Sequence, residues 1–172
     1  SKKKMIEKKM STADAVFFTP GRFLSDEIIS KAKNAKIFQL WSSGFEKFNF
    51  QAAKKHRIIL SNNGGENSTS VSEHTLLLML GVLRKVISFN KIAISGNWKG
   101  NSHGTDLFEL KNKCIGIIGF GNIGRKVAKL CNAFDAKVFY YDTKKISKNL
   151  EKKLNVKYLN KTNLLKKADI IT

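Results

Sequence analysis

The chain has 172 residues, of which 42% are hydrophobic and 10% aromatic, so it can bury a sizeable core and is not disordered. Its longest apolar stretch, residues 76–83, is too short to cross a bilayer, and residues 1–10 lack the apolar core of a signal peptide. We therefore expect a cytoplasmic protein without a membrane partner. Cys114 and Cys131 are isolated from each other and have no C-x-x-C spacing, which indicates core packing in a reducing compartment and no metal site.

The formal net charge of +19 is the strongest indication of a different function, because a basic surface attracts nucleic acid. The lysines, however, are scattered through nearly every predicted helix and turn. Only four arginines contribute: Arg22, Arg57, Arg84 and Arg125. Since proteins that read nucleic acid concentrate arginine and stacking aromatics in one place, the pattern favours a solvated lysine surface over a specific nucleic-acid site.

Strands and helices alternate in the first third of the chain. Residues 14–19, 35–42 and 57–62 are predicted strands, and residues 24–34 and 48–56 are predicted helices. This order predicts a parallel sheet with crossover helices.

A glycine- and asparagine-rich loop then leads into a long predicted helix, from Ser70 to about Phe89. Ser70 and Glu73 match the S-x-x-E capping box at its start. The helix is apolar nearly all round, so it cannot leave a broad face in water. Two interpretations stay open: the helix forms an interface between protomers, or it is an ordinary helix buried within its own chain.

The segment CIGIIGFGNIGRKVAKL, residues 114–130, places three glycines between a predicted strand and a predicted helix. Such a turn leaves the first N–H groups of the helix unpaired at the positive end of its dipole, where they favour a phosphate. We expect Gly119 to permit the tight turn, Gly121 the close approach of a pyrophosphate, and Gly124 the close packing of helix on strand.

The next predicted strand, residues 136–142, ends in Asp142, about twenty residues beyond the glycines. A carboxylate there can accept from both ribose hydroxyls and favours NAD over NADP, a preference that Lys144 and Lys145 weaken slightly. Alternatively, the glycines are steric and Asp142 only caps the turn. Further elements are predicted downstream: a strand over residues 156–159, a helix over 163–169 and the start of a strand at 170–172.

These features together resemble the D-isomer-specific 2-hydroxyacid dehydrogenases, of the phosphoglycerate dehydrogenase-like kind. The likeness covers almost the whole chain and depends on two segments, QLWSSGFEKFNFQAAKKHRIILSNNGGENSTSVSEHTLLLML and ELKNKCIGIIGFGNIGRKVA. It implies an α/β fold with a partial flavodoxin-like substrate domain, residues 1–69, followed by a partial doubly wound Rossmann NAD-binding domain, residues 70–172. Helix 70–89 would join the domains, with cofactor and substrate in the cleft between them.

The resemblance also implies site residues. The family binds the substrate carboxylate through backbone amides of a loop that matches Ser42, Ser43 and Gly44. This loop departs from the family pattern at Ser42, where a glycine is common, and at Glu46, where an aspartate is common. The cofactor-binding positions implied are Val71 near the nicotinamide ring, Asn122 and Ile123 at the pyrophosphate, and Gly119, Gly121, Gly124 and Asp142.

The family's catalytic arginine, acid and histidine lie downstream of the segment matching ADIIT, and a strand precedes the segment matching SKKKMIEKKM. We therefore interpret the chain as a fragment lacking both ends and carrying no catalytic residue. His56, His74 and His103 are interpreted as structural.

The function implied for the intact protein is NAD-dependent hydride transfer that interconverts a D-2-hydroxy acid and a 2-oxo acid. The alternative is a non-catalytic NAD-dependent binding module, similar to the co-repressors that resemble this family. The resemblance further implies a homodimer formed through helix 70–89 and the following arm, where Trp98 and Phe108 would be aromatic anchors.

Overall fold

The computed structural model describes residues 2–19, 25–45, 48–97 and 106–172. The predictions made for Arg22, Glu46, Trp98 and His103 lie outside the described residues. The chain divides into two compact units, Ser1–Glu66 and Asn67–Thr172. Each unit contains its own parallel sheet.

The first unit is an alternation of helices and strands. In chain order its elements are α1 (Lys2–Thr12), β1 (Ala15–Phe18), α2 (Asp26–Lys31), β2 (Ile37–Leu40), α3 (Phe50–Lys55) and β3 (Ile59–Asn62). The strands pair in parallel in the order β1-β2-β3, with Ala15 opposite Ile37 and Ile37 opposite Ile59. The predicted parallel sheet with crossover helices is confirmed here.

Each crossover helix of the first unit begins at a polar side chain that accepts a first-turn N–H. Ser25 Oγ accepts from Ile28 at 3.3 Å, and Asn49 Oδ1 accepts from Ala52 at 3.0 Å. The helices pack on the sheet around Phe38, which is fully buried. Capping fixes where each helix starts, and burial of its apolar face holds it against the strands.

The second unit also carries a parallel sheet, in the order β6-β5-β4-β7. Its elements are α4 (Ser68–Leu83), α5 (Val86–Ile94), β4 (Cys114–Ile118), α6 (Asn122–Ala133), β5 (Lys137–Tyr141), α7 (Lys148–Leu154), β6 (Val156–Tyr158), α8 (Lys161–Lys167) and β7 (Ile170–Ile171). Strand β4 lies between β5 and β7, so the glycine-rich segment that follows it begins near the middle of the sheet. The predicted α/β class is confirmed.

The long helix predicted over residues 70–89 is instead two helices, so this prediction is wrong. The chain breaks at Lys85, which has a left-handed φ of +48°. The carbonyl of Leu83 accepts the N–H of Phe108 at 3.1 Å, and Lys85 Nζ donates to Asp106 at 3.1 Å. Because the returning chain uses the last carbonyl of α4, the helical ladder ends there.

The predicted capping box at Ser70 is also wrong. Helix α4 begins at Ser68 after the N-cap residue Asn67, and no side chain accepts a cap hydrogen bond. Ser68 and Ser72 are each 2% exposed, so the buried start of the helix includes residues ahead of Ser70. Ser70 therefore lies inside the first turn, where its hydroxyl no longer has the position of a cap.

Helix α7 is absent from the predicted elements, and it supplies a buried polar network under β5. Tyr140 Oη donates to Glu151 Oε1 at 3.0 Å, and Lys148 Nζ donates to Glu151 Oε2 at 2.7 Å. The ammonium of Lys148 lowers the pKa of the Glu151 carboxyl. Burial, followed by the hydrogen bond to Glu151, raises the pKa of Tyr140 to about 12. The network joins β5, the strand that precedes Asp142, to helix α7.

We expect the free energy of unfolding to fall at high pH because of Tyr140. The pKa of its phenol is about 12 when folded, against an ordinary value of 10.0, so the folded chain holds this proton more tightly. The stabilisation from this proton is complete below pH 10.0, the ordinary pKa, and is lost as the pH rises through about 12, the pKa in the folded chain. The free energy of unfolding should fall by on the order of 2 kcal/mol across this range. Urea unfolding of wild type and Tyr140→Phe across this window measures the loss.

The difference in unfolding free energy between these two proteins should shrink as the pH rises, since only the wild type has this phenol to ionise. Every other ionisable group is present in both proteins, so the comparison isolates the phenol of Tyr140. Two curves that stay parallel from neutral pH to above the window would contradict this role of Tyr140.

Candidate functional site

The turn between β4 and α6 needs glycine first at Gly119. Its φ is +94°, a region that other residues rarely adopt. The N–H of Gly119 donates to the carbonyl of Tyr141 at 2.9 Å, which ties the turn to the end of β5. The chain can therefore leave β4 and enter α6 directly.

Gly121 is the N-cap residue of α6 and leaves open space in front of the helix. A Cβ at this position would meet no atom within 4 Å. No side chain accepts a cap hydrogen bond, and the N–H groups of Asn122, Ile123 and Gly124 precede the first intrahelical bond, which Arg125 donates to Gly121 at 3.1 Å. The helix thus begins with free donors facing an open position, as a pyrophosphate requires.

Gly124 is buried against the turn. A Cβ at Gly124 would overlap the carbonyl oxygen of Gly119 and would lie 3.2 Å from Cγ2 of Ile117. No larger residue fits without moving the backbone of the turn. The third glycine therefore has a packing role, with helix α6 lying directly on strand β4.

Asp142 follows β5 and reaches back to the glycine turn. Its Oδ2 accepts the N–H of Phe120 at 2.6 Å, and its Oδ1 accepts the N–H of Lys144 and the hydroxyl of Thr143, each at 3.2 Å. The Phe120 N–H, then the Lys144 N–H, lower the pKa of this carboxyl. Asp142 does cap its own turn, and it also presents a charged carboxylate beside the glycines.

The fit of this turn to a dinucleotide is set by three of its own features. First, the N–H groups at the start of α6 have no intrahelical acceptor. Second, the space in front of Gly121 is open because this residue has no side chain to fill it. Third, the lowered pKa of Asp142 keeps its carboxylate ionised. A pyrophosphate suits the first two features, and ribose hydroxyls suit the third.

Comparison with known proteins identifies the family to which this site belongs. Residues 76–172 match the family model described as D-isomer specific 2-hydroxyacid dehydrogenase, NAD binding domain. The chain belongs to this dehydrogenase family. Its second unit accordingly carries the family's NAD-binding domain, and NAD is its cofactor.

Similar proteins match over most of the chain. It is 34% identical to D-3-phosphoglycerate dehydrogenase of Archaeoglobus fulgidus, over 85% of the chain and 27% of that protein. It is 32% identical to glyoxylate reductase of Thermofilum pendens, over 85% of the chain and 44% of that protein. The structure of D-lactate dehydrogenase from Aquifex aeolicus, complexed with NAD and lactic acid, matches with a TM-score of 0.84 at 28% identity, over 96% of the chain and 49% of that protein. The chain thus spans half or less of these dehydrogenases.

In this member of the dehydrogenase family, the predicted substrate loop lies in the first unit, after β2. Ser43 Oγ donates to the carbonyl of Asn63 at 2.7 Å, and Asn62 Nδ2 donates to the carbonyl of Ser43 at 2.7 Å. Ser42 Oγ donates to the carbonyl of Gly44 at 2.9 Å. Both serine hydroxyls therefore donate to carbonyls, and the loop is held to the end of β3 and to the residue that follows it.

Val71, the position matched to the nicotinamide ring, is half-buried in the second turn of α4. The start of that helix lies beside α6, because Lys126 Nζ donates to Thr69 Oγ1 at 2.5 Å. Val71 therefore lies two residues along the chain from a residue, Thr69, that contacts helix α6.

The histidines in the described part of the dehydrogenase chain have no catalytic arrangement with one another. His56 Nε2 lies 3.0 Å from Asp26 Oδ1, and Lys55 Nζ lies 2.9 Å from Asp26 Oδ2. His74 is exposed on α4. Within residues 2–19, 25–45, 48–97 and 106–172, no cluster of three or more His, Cys, Asp or Glu could hold a metal ion, and no helix there is long and apolar enough to span a membrane.

Two structural residues near the site were missed by sequence reasoning. A Cβ at Gly116 would lie 2.6 Å from Leu164 Cδ2, so this glycine lets α8 pack on β4. The ring of Phe120 stacks on Tyr140 with centroids 4.2 Å apart, which anchors the turn to the core. The two glycines of CIGIIG were a signal in the sequence for the role of Gly116. The sequence carried no signal for the stacking of Phe120 on Tyr140.

Proposed function

We propose that the complete protein is an NAD-dependent oxidoreductase that interconverts a D-2-hydroxy acid and a 2-oxo acid. The observation that carries the proposal is the glycine turn with Asp142 at the start of α6, in a chain that belongs to this dehydrogenase family. Bound NAD would supply the hydride acceptor. Asn122, Ile123 and Gly124 would donate backbone N–H groups to its pyrophosphate, and Asp142 would accept from the ribose.

We further propose that Ser42, Ser43 and Gly44 bind the substrate carboxylate through their backbone. Backbone amides supply oriented partial positive charge that does not titrate. The support is a set of hydrogen bonds that hold the loop in place: Ser42 bonds to Gly44, and Ser43 bonds to Asn62 at the end of β3 and to Asn63 after it. Val71 is proposed to lie near the nicotinamide ring.

Turnover by the complete gene product tests the oxidoreductase proposal. NADH oxidation, followed by absorbance, should depend on a 2-oxo acid such as glyoxylate or pyruvate and should leave the D-hydroxy acid as product. Tight NAD binding without turnover of any 2-oxo acid would instead favour the alternative, a non-catalytic NAD-dependent binding module. The two free cysteines, Cys114 and Cys131, support a reducing, cytoplasmic location for either activity.

Replacement of Asp142 should change the choice of cofactor. We expect wild type to bind NADH at least about tenfold more tightly than NADPH, because the ionised carboxylate repels a 2′-phosphate. Asp142→Asn should remove most of this gap. Titration of both cofactors, followed by nicotinamide fluorescence, measures the ratio.

Asparagine is the better replacement because it retains an oxygen that can accept the Phe120 N–H. Asp142→Ala leaves that N–H without its acceptor and should weaken both cofactors in addition to narrowing the gap. Equal affinities for NADH and NADPH in wild type would overturn the assignment of Asp142.

We also propose that the complete protein is a homodimer formed through the exposed apolar face of α4 and α5. Helix α4 packs Met79 on the core of its own unit and exposes its other side. The exposed apolar residues of the two helices are Leu77, Leu78, Val82, Val86, Ile87 and Ile94. A contiguous apolar surface of this kind marks an interface. Phe108, at 52% exposed, is a further candidate contact.

Val82→Glu should shift the protein from dimer to monomer. Val82 is 77% exposed, so a carboxylate there costs little in a monomer but would be buried in the proposed interface. Leu83 is less suitable, because it packs against the core. Light scattering during size-exclusion chromatography measures the mass. Leu165→Glu, on the exposed side of α8, is the matched control and should leave the dimer intact; a monomeric wild type at micromolar concentration would refute the proposal.

A further inference from the structure

A groove of about 430 Å³ lies between α6 and α7, outside the glycine turn. Arg125, Lys129 and Asn132 line it from α6, where their spacing places them on one face of the helix. Lys153 lines it from α7. The volume falls within the range of small-molecule pockets.

The charge in this groove is uncompensated. Within the part of the chain that the structure describes, no carboxylate forms an ion pair with Arg125, Lys129 or Lys153. Glu151, the one acid of α7, accepts hydrogen bonds from Lys148 and from Tyr140 of β5 and so does not neutralise the groove. Among the described residues that line the groove there are therefore three cations and no acid, which makes it a favourable place for a multiply charged anion.

The walls of the groove are fixed by hydrogen bonds before any ligand arrives. Arg125 Nε donates to the carbonyl of Phe120 at 3.1 Å, which leaves the outer guanidinium nitrogens for a ligand. Asn132 Nδ2 donates to the carbonyl of Leu154 at 2.7 Å and joins α6 to the end of α7. Asn155, in the left-handed conformation, donates to Asn132 Oδ1 at 3.4 Å. Such preorganisation reduces the entropy lost on binding.

We infer that this groove binds a small molecule that carries at least two phosphoryl charges. Guanidinium and ammonium groups are the usual protein donors to phosphate. Leu150 and Leu154 add an apolar wall that would contact the non-phosphoryl part of such a molecule. The small volume of the groove, about 430 Å³, favours a small molecule over the extended backbone of a nucleic acid.

Calorimetric titration with inorganic pyrophosphate tests the groove. The complete gene product is held at about 0.15 M ionic strength, where weak surface attraction is screened, and with saturating NAD, which occupies the glycine turn. We expect saturable binding that Lys129→Gln with Lys153→Gln weakens at least about tenfold. Arg125 is left unchanged because it also holds the Phe120 carbonyl.

Lys152→Gln with Lys157→Gln is the matched control, since both lysines are exposed, lie outside the groove and carry the same total charge. This pair should change pyrophosphate affinity less than about twofold if the groove is a site. If both pairs of substitutions weaken pyrophosphate binding equally, the anion is attracted to surface lysines in general and not to the groove. Pyrophosphate binding that is seen only when NAD is left out would place it at the cofactor turn, and a short DNA duplex that competes through the control lysines would indicate a nucleic-acid surface. Each of these results, or the absence of saturable binding, would overturn the proposal.

Discussion

Gly124→Ala is expected to destabilise the second unit by about 3 kcal/mol, because the added Cβ overlaps the backbone carbonyl of Gly119. A flexible side chain could rotate away, but a carbonyl inside a tight turn can move only with the turn itself. Helix α6 would have to lift from β4, which disturbs the buried Val127 and Ala128 on the same helix. Urea unfolding of wild type and variant measures the loss.

Gly81→Ala is the control for this experiment. Gly81 lies within α4, where an added Cβ meets no atom within 4 Å, and alanine is the better helix former. This variant should be as stable as wild type or more stable by about 0.5–1 kcal/mol. A Gly124→Ala protein that unfolds at the wild-type urea concentration would show that the turn can yield, and would refute the packing role of this glycine.

The glycine turn was predictable because its cause is local. The spacing of Gly119, Gly121 and Gly124, followed by a strand ending in Asp142, fixes a strand, a turn and a helix within one short segment. The bond that holds the Asp142 carboxylate against the glycine turn was less predictable. This bond, from the Phe120 N–H, joins residues that are distant in sequence, so only the paired strands bring them together.

The break between α4 and α5 had no signal in the sequence, because the residues at the junction, Arg84 and Lys85, are ordinary helix formers. Helix α4 ends because the carbonyl of Leu83 accepts the N–H of Phe108, a contact that forms only when the chain folds back. Helix α7 was missed for a different reason. It has seven residues and is held by its cap and by the buried Glu151. In both cases, tertiary contacts determine where the helix forms and where it ends.

Gly121→Ala is expected to weaken NAD binding at least about tenfold while leaving the fold intact. The Cβ would point into open space, and the backbone at this residue, with φ −79° and ψ −151°, is extended, so the chain itself tolerates alanine. The same space is where the proposed pyrophosphate must approach the first N–H groups of α6. The free energy of unfolding without cofactor should stay within about 0.5 kcal/mol of wild type.

The two glycine variants thus separate binding from packing within one turn. Gly124→Ala should lose stability whether or not NAD is present, whereas Gly121→Ala should lose only the stabilisation that NAD adds, measured as the shift in thermal unfolding on cofactor addition. If Gly121→Ala retains the wild-type shift, the pyrophosphate does not pass over this residue. The open space before α6 would then have no part in binding the cofactor, even though the N–H groups of Asn122 and Ile123 lie in the first turn of the helix without an intrahelical acceptor.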